Sequence, residues 1–273
     1  MFGCANIKGG LRPGDMENQP IEPAGRHALV TGGGRGIGSA VAQALVQAGA
    51  RVTVLGRTEA ALRDGVAAGH ANAYEVADVT DPACLNAAIA RAQDRLGPVS
   101  ILVNNAGAAE SAPFARTGRP VWDRMIAVNL TSVFDATQAL LPGMLAQGWG
   151  RVVNIASTAG LTGYAYVSAY VAAKHGVVGL TRALALECAR SGVTVNAVCP
   201  GFTDTDLVAG SVARIAAKTG RTPAAALHDL TRANPQGRLV TPAEVAAAVL
   251  FLCTAGASAM NGQSLAVAGG EVM

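Results

Sequence analysis

From His27 onward, short apolar runs alternate with longer stretches in which apolar residues recur at helical spacing. The runs His27 to Val30, Arg51 to Leu55, Ala73 to Val76, Ile101 to Asn104, Arg151 to Ile155 and Thr194 to Val198 predict strands, and Gln263 to Val267 predicts a last one. Between them, sets such as Val41, Leu45 and Val46, or Leu180, Leu184 and Leu186, predict apolar helix faces. Gly49, Gly97-Pro98 and Ser191-Gly192 follow three of these helices as C-terminal stops. Strand-helix alternation of this kind predicts a single α/β domain, a doubly wound Rossmann-type parallel sheet of about seven strands covered on both faces. Between Pro200 and Pro242 the strand signal disappears, and residues 202–238 predict a helical insert over the carboxyl ends of the strands, where open α/β sheets bind ligands. Residues 1–24, with Gly9, Gly10, Pro13, Gly14, Pro20 and Pro23 and no apolar stretch of the secretory kind, predict a flexible extension ahead of the domain 25–273.

Composition narrows the function. At 273 residues and 51% apolar, the chain can bury one sizeable core. Its net charge is only +3, its arginines are scattered and aromatics make up 4%, so nothing predicts a nucleic-acid surface. The most apolar run, Val245 to Cys253, is too short to cross a bilayer and predicts a core helix. Cys4, Cys84, Cys188, Cys199 and Cys253 are widely spaced, with no C-x-x-C pair and no histidine at ligand spacing. They predict buried thiols of a reducing, cytoplasmic compartment and no metal site. A small-molecule substrate fits this chain best.

Directly after the first strand stands Thr31-Gly32-Gly33-Gly34-Arg35-Gly36-Ile37-Gly38, followed by a predicted helix from Ser39 to Ala48. Glycines in a strand-turn-helix context let backbone approach a pyrophosphate, whose charge the helix N-terminus stabilises; Gly32, Gly34, Arg35, Gly36 and Ile37 are the candidate contacts. At the end of the second strand, where an acidic residue would bind a ribose 2′-hydroxyl, the sequence reads Leu55-Gly56-Arg57. Arg57 and Arg35 can pair with a 2′-phosphate, which favours NADP(H), with NAD(H) as the alternative; both arginines can equally be solvated surface charges. Asp78, beside Val79 after the third strand, fits an adenine contact or the cap of a helix beginning at Pro82.

Tyr170 and Lys174 stand four apart in the strongly helical segment Ser168 to Ser191, so they share a face. A phenol of pKa near ~10 is a poor acid-base catalyst at neutral pH, and a neighbouring ammonium stabilises its phenolate. Lysine is scarce here, limited to Lys8, Lys174 and Lys218, so one in an apolar helix is informative. The plainer alternative is a core aromatic beside a snorkelling lysine. Ser157, just past the strand Arg151 to Ile155, tilts the balance, because a hydroxyl there can polarise a substrate carbonyl.

With these pieces in order, the sequence from His27 to Gly270 resembles the short-chain dehydrogenases/reductases. The matching motifs are Thr31-Gly32-x-x-x-Gly36-Ile37-Gly38, Asn104-Asn105-Ala106-Gly107, Asn129, Ser157, Tyr170-x-x-x-Lys174, and Pro200-Gly201 with Thr205 behind it. The resemblance implies that Tyr170 is general acid for ketone reduction and general base for alcohol oxidation. It implies that Lys174 binds the nicotinamide ribose and lowers the Tyr170 pKa, that Ser157 holds the carbonyl, and that Asn129 anchors a water leading from Lys174 to solvent. Asn105, Ala106 and Gly107 would line the adenine side of the cofactor, and Thr203 and Thr205 would contact its carboxamide and phosphate. Residue chemistry alone reads Asn129 as a side chain bonded to helix backbone. A homotetramer is also implied, built through the helices around Trp122 to Leu145 and Ser168 to Ser191 and the last strand.

Ala173-Lys174-His175-Gly176 and Val195 to Gly201 look most like β-ketoacyl reductases, which implies a 3-oxoacyl thioester or related ketone. The alternatives are an NAD-dependent secondary-alcohol or hydroxysteroid dehydrogenase and a catalytically silent NADP(H) sensor. Arg214, Lys218, Arg221 and Arg232 of the insert either bind the phosphates of a CoA or carrier arm or form a solvated face balanced by Asp204, Asp206 and Asp229. Asp135 places negative charge where reductases acting on acyl-carrier protein tend to be basic, which favours CoA or a free ketone.

Overall fold

The computed structural model describes residues 23–272. Most of the predicted extension, and Cys4 with it, lies outside the described residues. Seven parallel strands form one sheet in the order β3-β2-β1-β4-β5-β6-β7. They are β1 (His27–Thr31), β2 (Arg51–Gly56), β3 (Ala73–Val76), β4 (Val99–Asn104), β5 (Gly150–Ile155), β6 (Val193–Pro200) and β7 (Ser264–Val267). The sheet order reverses beside β1, between β2 and β4, and this switch point opens a crevice at the carboxyl ends of the strands.

Helices α1 (Gly36–Gln47), α2 (Glu59–Ala67), α3 (Pro82–Leu96), α4 (Arg119–Ile126), α5 (Ser132–Gln147), α6 (Ser168–Glu187), α7 (Asp206–Thr219), α8 (Pro223–Thr231) and α9 (Pro242–Leu252) complete the chain. One core joins β1, β2 and β6 to α1 and α9 through Val30, Leu45, Val54, Val198 and Leu252; the other joins the opposite face to α3 and α5 through Leu85, Leu102, Leu140 and Val152. Thus 245–253 is a core segment, as its composition predicts. The predicted insert carries α7 and α8.

Several predicted details change. Helix α1 starts at Gly36 rather than Ser39, and its glycines answer to packing: Gly36 has a φ of +54°, and a side chain on Gly38 would clash with the Gly32 carbonyl. Helix α6 ends at Glu187, short of Ser191. Leu186, grouped by spacing with the apolar face, is 81% exposed. Helix α5 runs through Pro142, which stands on the solvent side, where losing one backbone donor costs least. Cys188, Cys199 and Cys253 are buried free thiols, whereas Cys84 is only half-buried. No helix among the described residues is long and apolar enough to cross a membrane.

His27, the first residue of β1, is a buried fixture: one ring nitrogen meets the Gly97 carbonyl at 2.6 Å and the other the Thr53 hydroxyl at 2.9 Å. Burial, with some help from Arg51, holds its pKa below the ordinary 6.5 against the opposing Gly97 carbonyl. The unfolded chain therefore binds this proton first as pH falls, so the stability His27 contributes is present above about 6.5 and is lost below it. Urea unfolding from pH 7.5 to 5.5 should show stability falling more steeply in the wild type than in His27→Gln; equal slopes would contradict this assignment.

Candidate active site

The glycine turn is shaped by close approach. Gly32 and Gly36 have φ of +65° and +54°, the left-handed region that side chains disfavour. A Cβ on Gly38 would lie 2.3 Å from the Gly32 carbonyl oxygen, and one on Gly33 would lie 2.5 Å from Val54. Gly34 is less constrained, its nearest neighbour being Leu62 at 3.3 Å. The Asn105 side chain donates to the Thr31 and Gly32 carbonyls at 2.9 and 3.1 Å, while the Asn105 and Ala106 amides bond the Thr31 hydroxyl. Asn105 thus pins the turn to the end of β4. At the start of α1, Arg35 supplies no side-chain cap and the first turn holds no acid. Its orphan N–H groups and positive end suit a pyrophosphate, so the residues present fit a nicotinamide dinucleotide.

Arg35 and Arg57 flank this cradle, both largely exposed, each 3.7 Å from a carboxylate: Arg35 from Asp206, Arg57 from Asp78. Exposed pairs of this kind are weak, which leaves both guanidinium groups available to a stronger anion. Asp78 does not cap α3. Its carboxylate accepts from the Thr80 amide and hydroxyl, which hold its pKa below the ordinary value, while Asp81 caps the helix through the Ala83 and Cys84 amides. Val79 is buried beside it. Thr205 caps α7 with its backbone and brings a methyl group within 3.2 Å of a Cβ built on Gly36; the buried Thr203 bonds the Gly201 carbonyl. Pro200, Gly201, Thr203 and Thr205 therefore lead from the end of β6 to the glycine turn.

The predicted catalytic set converges at the end of β5. Ser157 opens a short turn, and α6 packs closely enough that a Cβ on Gly160 would lie 2.8 Å from the Lys174 carbonyl oxygen. The half-buried Tyr170 comes within the influence of the Ser157 side chain. Lys174 is 4% exposed and donates to the Ile155 carbonyl at 2.8 Å. Burial brings the Lys174 pKa down to about 8. At Tyr170 burial raises the pKa, and the opposing bond comes from Ser157. The Lys174 ammonium is 5.7 Å from the Tyr170 ring centre and is bound to backbone, so in the protein alone the tyrosine acidity rests on Ser157 more than on Lys174.

Asn129 is fully buried in a π-helical turn, Ala127–Thr131, between α4 and α5. Its amide donates to the Ala108 and Met125 carbonyls, as the plain helix-backbone reading predicts, and its oxygen accepts from the Ala108 amide. A Cβ on Gly107 would lie 2.9 Å from Asn129 and 3.8 Å from the Lys174 nitrogen, so these two side chains flank Gly107.

Residue chemistry missed four neighbours of this centre. Cys199, its thiol pushed up to about 11 chiefly by burial against the opposing influence of the Ser157 backbone and Lys174, lies beside this centre. Thr158, Tyr164 and Glu271 form a hydrogen-bonded chain beside it. Cys199 follows from its place before Pro200-Gly201 in β6; nothing local marks Glu271. In the insert, Arg221 is paired with Asp229, which favours the solvated-face reading there, while Arg214 lines a cavity with Ala109, Glu110 and Ser111. No side chain is described for Lys218.

Residues 26–215 match the short chain dehydrogenase family model. The chain is 42% identical to D-beta-hydroxybutyrate dehydrogenase of Cupriavidus necator, covering 91% of this chain and 98% of that one. It is 43% identical to the granaticin polyketide synthase putative ketoacyl reductase 1 of Streptomyces violaceoruber, covering 89% and 92%. The crystal structure of an actinorhodin polyketide ketoreductase variant with NADPH superposes with a TM-score of 0.87 at 39% identity, covering 93% of this chain and 99% of that one. The chain belongs to the short-chain dehydrogenases/reductases, a family of NAD(P)(H)-using oxidoreductases.

Proposed function

We propose that the protein transfers hydride between NADP(H) and a ketone or secondary alcohol, acting as a reductase of 3-oxoacyl thioesters or related ketones. The observation that carries this is the convergence at the end of β5 of Tyr170, whose pKa Ser157 lowers against burial, with Lys174 buried one helical turn further along α6 and bonded to the Ile155 carbonyl. The glycine turn and Lys174 would hold the dinucleotide, and the bound nicotinamide supplies the hydride. Ser157 and Tyr170 together direct two hydroxyl donors at one carbonyl oxygen, polarising it. As negative charge develops there, Tyr170 gives up its proton and Lys174 stabilises the phenolate left behind. In the oxidative direction the same phenolate accepts the alcohol proton.

Three observations support the finer choices. No acid stands at the end of β2, and Arg35 and Arg57 flank the turn, which favours NADP(H). Ketoacyl reductases are among the relatives, and a ketoreductase that binds NADPH is a structural neighbour. The exposed Phe134 and Leu145 on α5 and Leu186 on α6 support the homotetramer that the resemblance implies.

Tyr170→Phe should lower the rate of 3-oxoacyl-CoA reduction by about a thousandfold or more, with NADPH affinity held within about threefold; near-normal turnover would refute the mechanism. In the paired variant Arg35→Ala/Arg57→Ala, the KM for NADPH should rise at least about tenfold while that for NADH stays within about threefold. A wild type that prefers NADH would overturn the cofactor assignment.

A further inference from the structure

Beyond β7 the chain makes a turn that only small residues fit. Gly269 and Gly270 have φ of +62° and +93°, and Cβ atoms there would lie 2.1 Å from Asn234 and 3.2 Å from Pro235, both at the end of the insert. The turn delivers Glu271 beneath Gly201, where a Cβ would be 2.6 Å from Glu271 Oε2. Glu271 Oε1 accepts from the Tyr164 hydroxyl, whose oxygen lies 2.8 Å from the Thr158 hydroxyl. Tyr164 has one proton to give, so the chain runs Thr158 to Tyr164 to Glu271. Thr158 adjoins Ser157, and the Tyr164 ring stands edge-on to Phe202 at 6.2 Å. Glu271 is therefore joined through Tyr164 and Thr158 to the turn that carries Ser157.

Two features of this carboxylate are unusual. Oε2 is buried and has no hydrogen-bond partner among the described residues, a costly arrangement for a carboxylate oxygen. No arginine or lysine among the described residues is paired with Glu271 either. Lys174 is bonded to the Ile155 carbonyl and Arg238 pairs with Glu244, while Arg214 lines a cavity together with Glu110.

We infer that Glu271 is a specificity-determining residue: its carboxylate, fixed by Tyr164, admits ketones whose remote end is uncharged and turns away free keto acids. An uncharged end avoids repulsion; a second carboxylate meets like charge with no counter-ion, and discrimination is then built from the repulsive element. The inference rests on the reading that Ser157 and Tyr170 hold the carbonyl, and it narrows the substrate to esters, thioesters and other uncharged ketones.

The test compares kcat/KM, with NADPH, for two matched pairs: ethyl 3-oxobutanoate against 3-oxobutanoate, and methyl 4-oxocyclohexanecarboxylate against its free acid. The wild type should prefer each ester by about tenfold or more. In Glu271→Gln, which keeps the size and the acceptor for Tyr164, that preference should shrink about tenfold through the KM of the acids, with ester kcat/KM within about threefold. Glu271→Met removes the charge and is scored identically if the glutamine variant fails to fold. The same preference in wild type and variant, or a wild type that prefers the acids, overturns the inference. Reduction of the cyclic pair without the 3-oxo pair overturns the 3-oxoacyl reading and leaves the Glu271 comparison readable; reduction of none of the four overturns both.

Discussion

One buried ammonium organises the carboxyl end of this sheet. Lys174 reaches across from α6 to the Ile155 carbonyl, the last backbone acceptor of β5, and so fixes the longest described helix against the point where β5 gives way to the Ser157 turn. Burying a cation costs several kcal/mol unless polar groups compensate, and here a single backbone carbonyl does so, with the pKa falling to about 8. Close packing follows from the same constraint: Gly160 and Ala173 leave no side-chain bulk where the helix crosses the turn. Tyr170, one turn earlier on the same face, is thereby placed on Ser157. An ammonium with its pKa so lowered responds readily to what binds beside it, which suits the phenolate-stabilising role proposed for Lys174.

Much of this architecture is legible in the chain. All seven strands are marked by short apolar runs, since buried parallel strands need continuous Val, Ile and Leu, and the glycine turn announces itself through its context after β1. The boundaries are less legible where packing overrides local preference. Helix α1 begins inside a glycine run because close approach to Asn105 and the Gly32 carbonyl excludes side chains, and α5 tolerates Pro142 because its lost donor faces water. Leu186 shows the converse: apolar spacing cannot tell a core face from an outward one.

At the site, spacing finds Tyr170 and Lys174 but not what tunes them. The approach of Ser157 to Tyr170 joins separate elements, and the neighbourhood of Cys199 depends on how β6 lies beside β5. Glu271 is the extreme case, 107 residues from the tyrosine it binds and flanked only by glycines, valine and methionine. Its position exists only through the turn at Gly269-Gly270 pressed on Asn234 and Pro235. The proposed substrate cleft draws on four separate stretches, the Ser157 turn, α6, the Gly201 connection and the C-terminal segment, which is why family motifs identify the reaction class more readily than the ketone.

The whole arrangement depends on the buried state of Lys174. The chain has only three lysines, Lys8, Lys174 and Lys218, so protein labelled with 13C at the lysine ε-carbon gives a spectrum simple enough to assign with Lys174→Met. Titrated without cofactor, the resonance missing in that variant should move with a midpoint of about 8, well below the ordinary 10.5. A Lys174 midpoint at the ordinary value would place the ammonium in water and contradict the arrangement on which Tyr170, Ser157 and the closeness of α6 to β5 all depend.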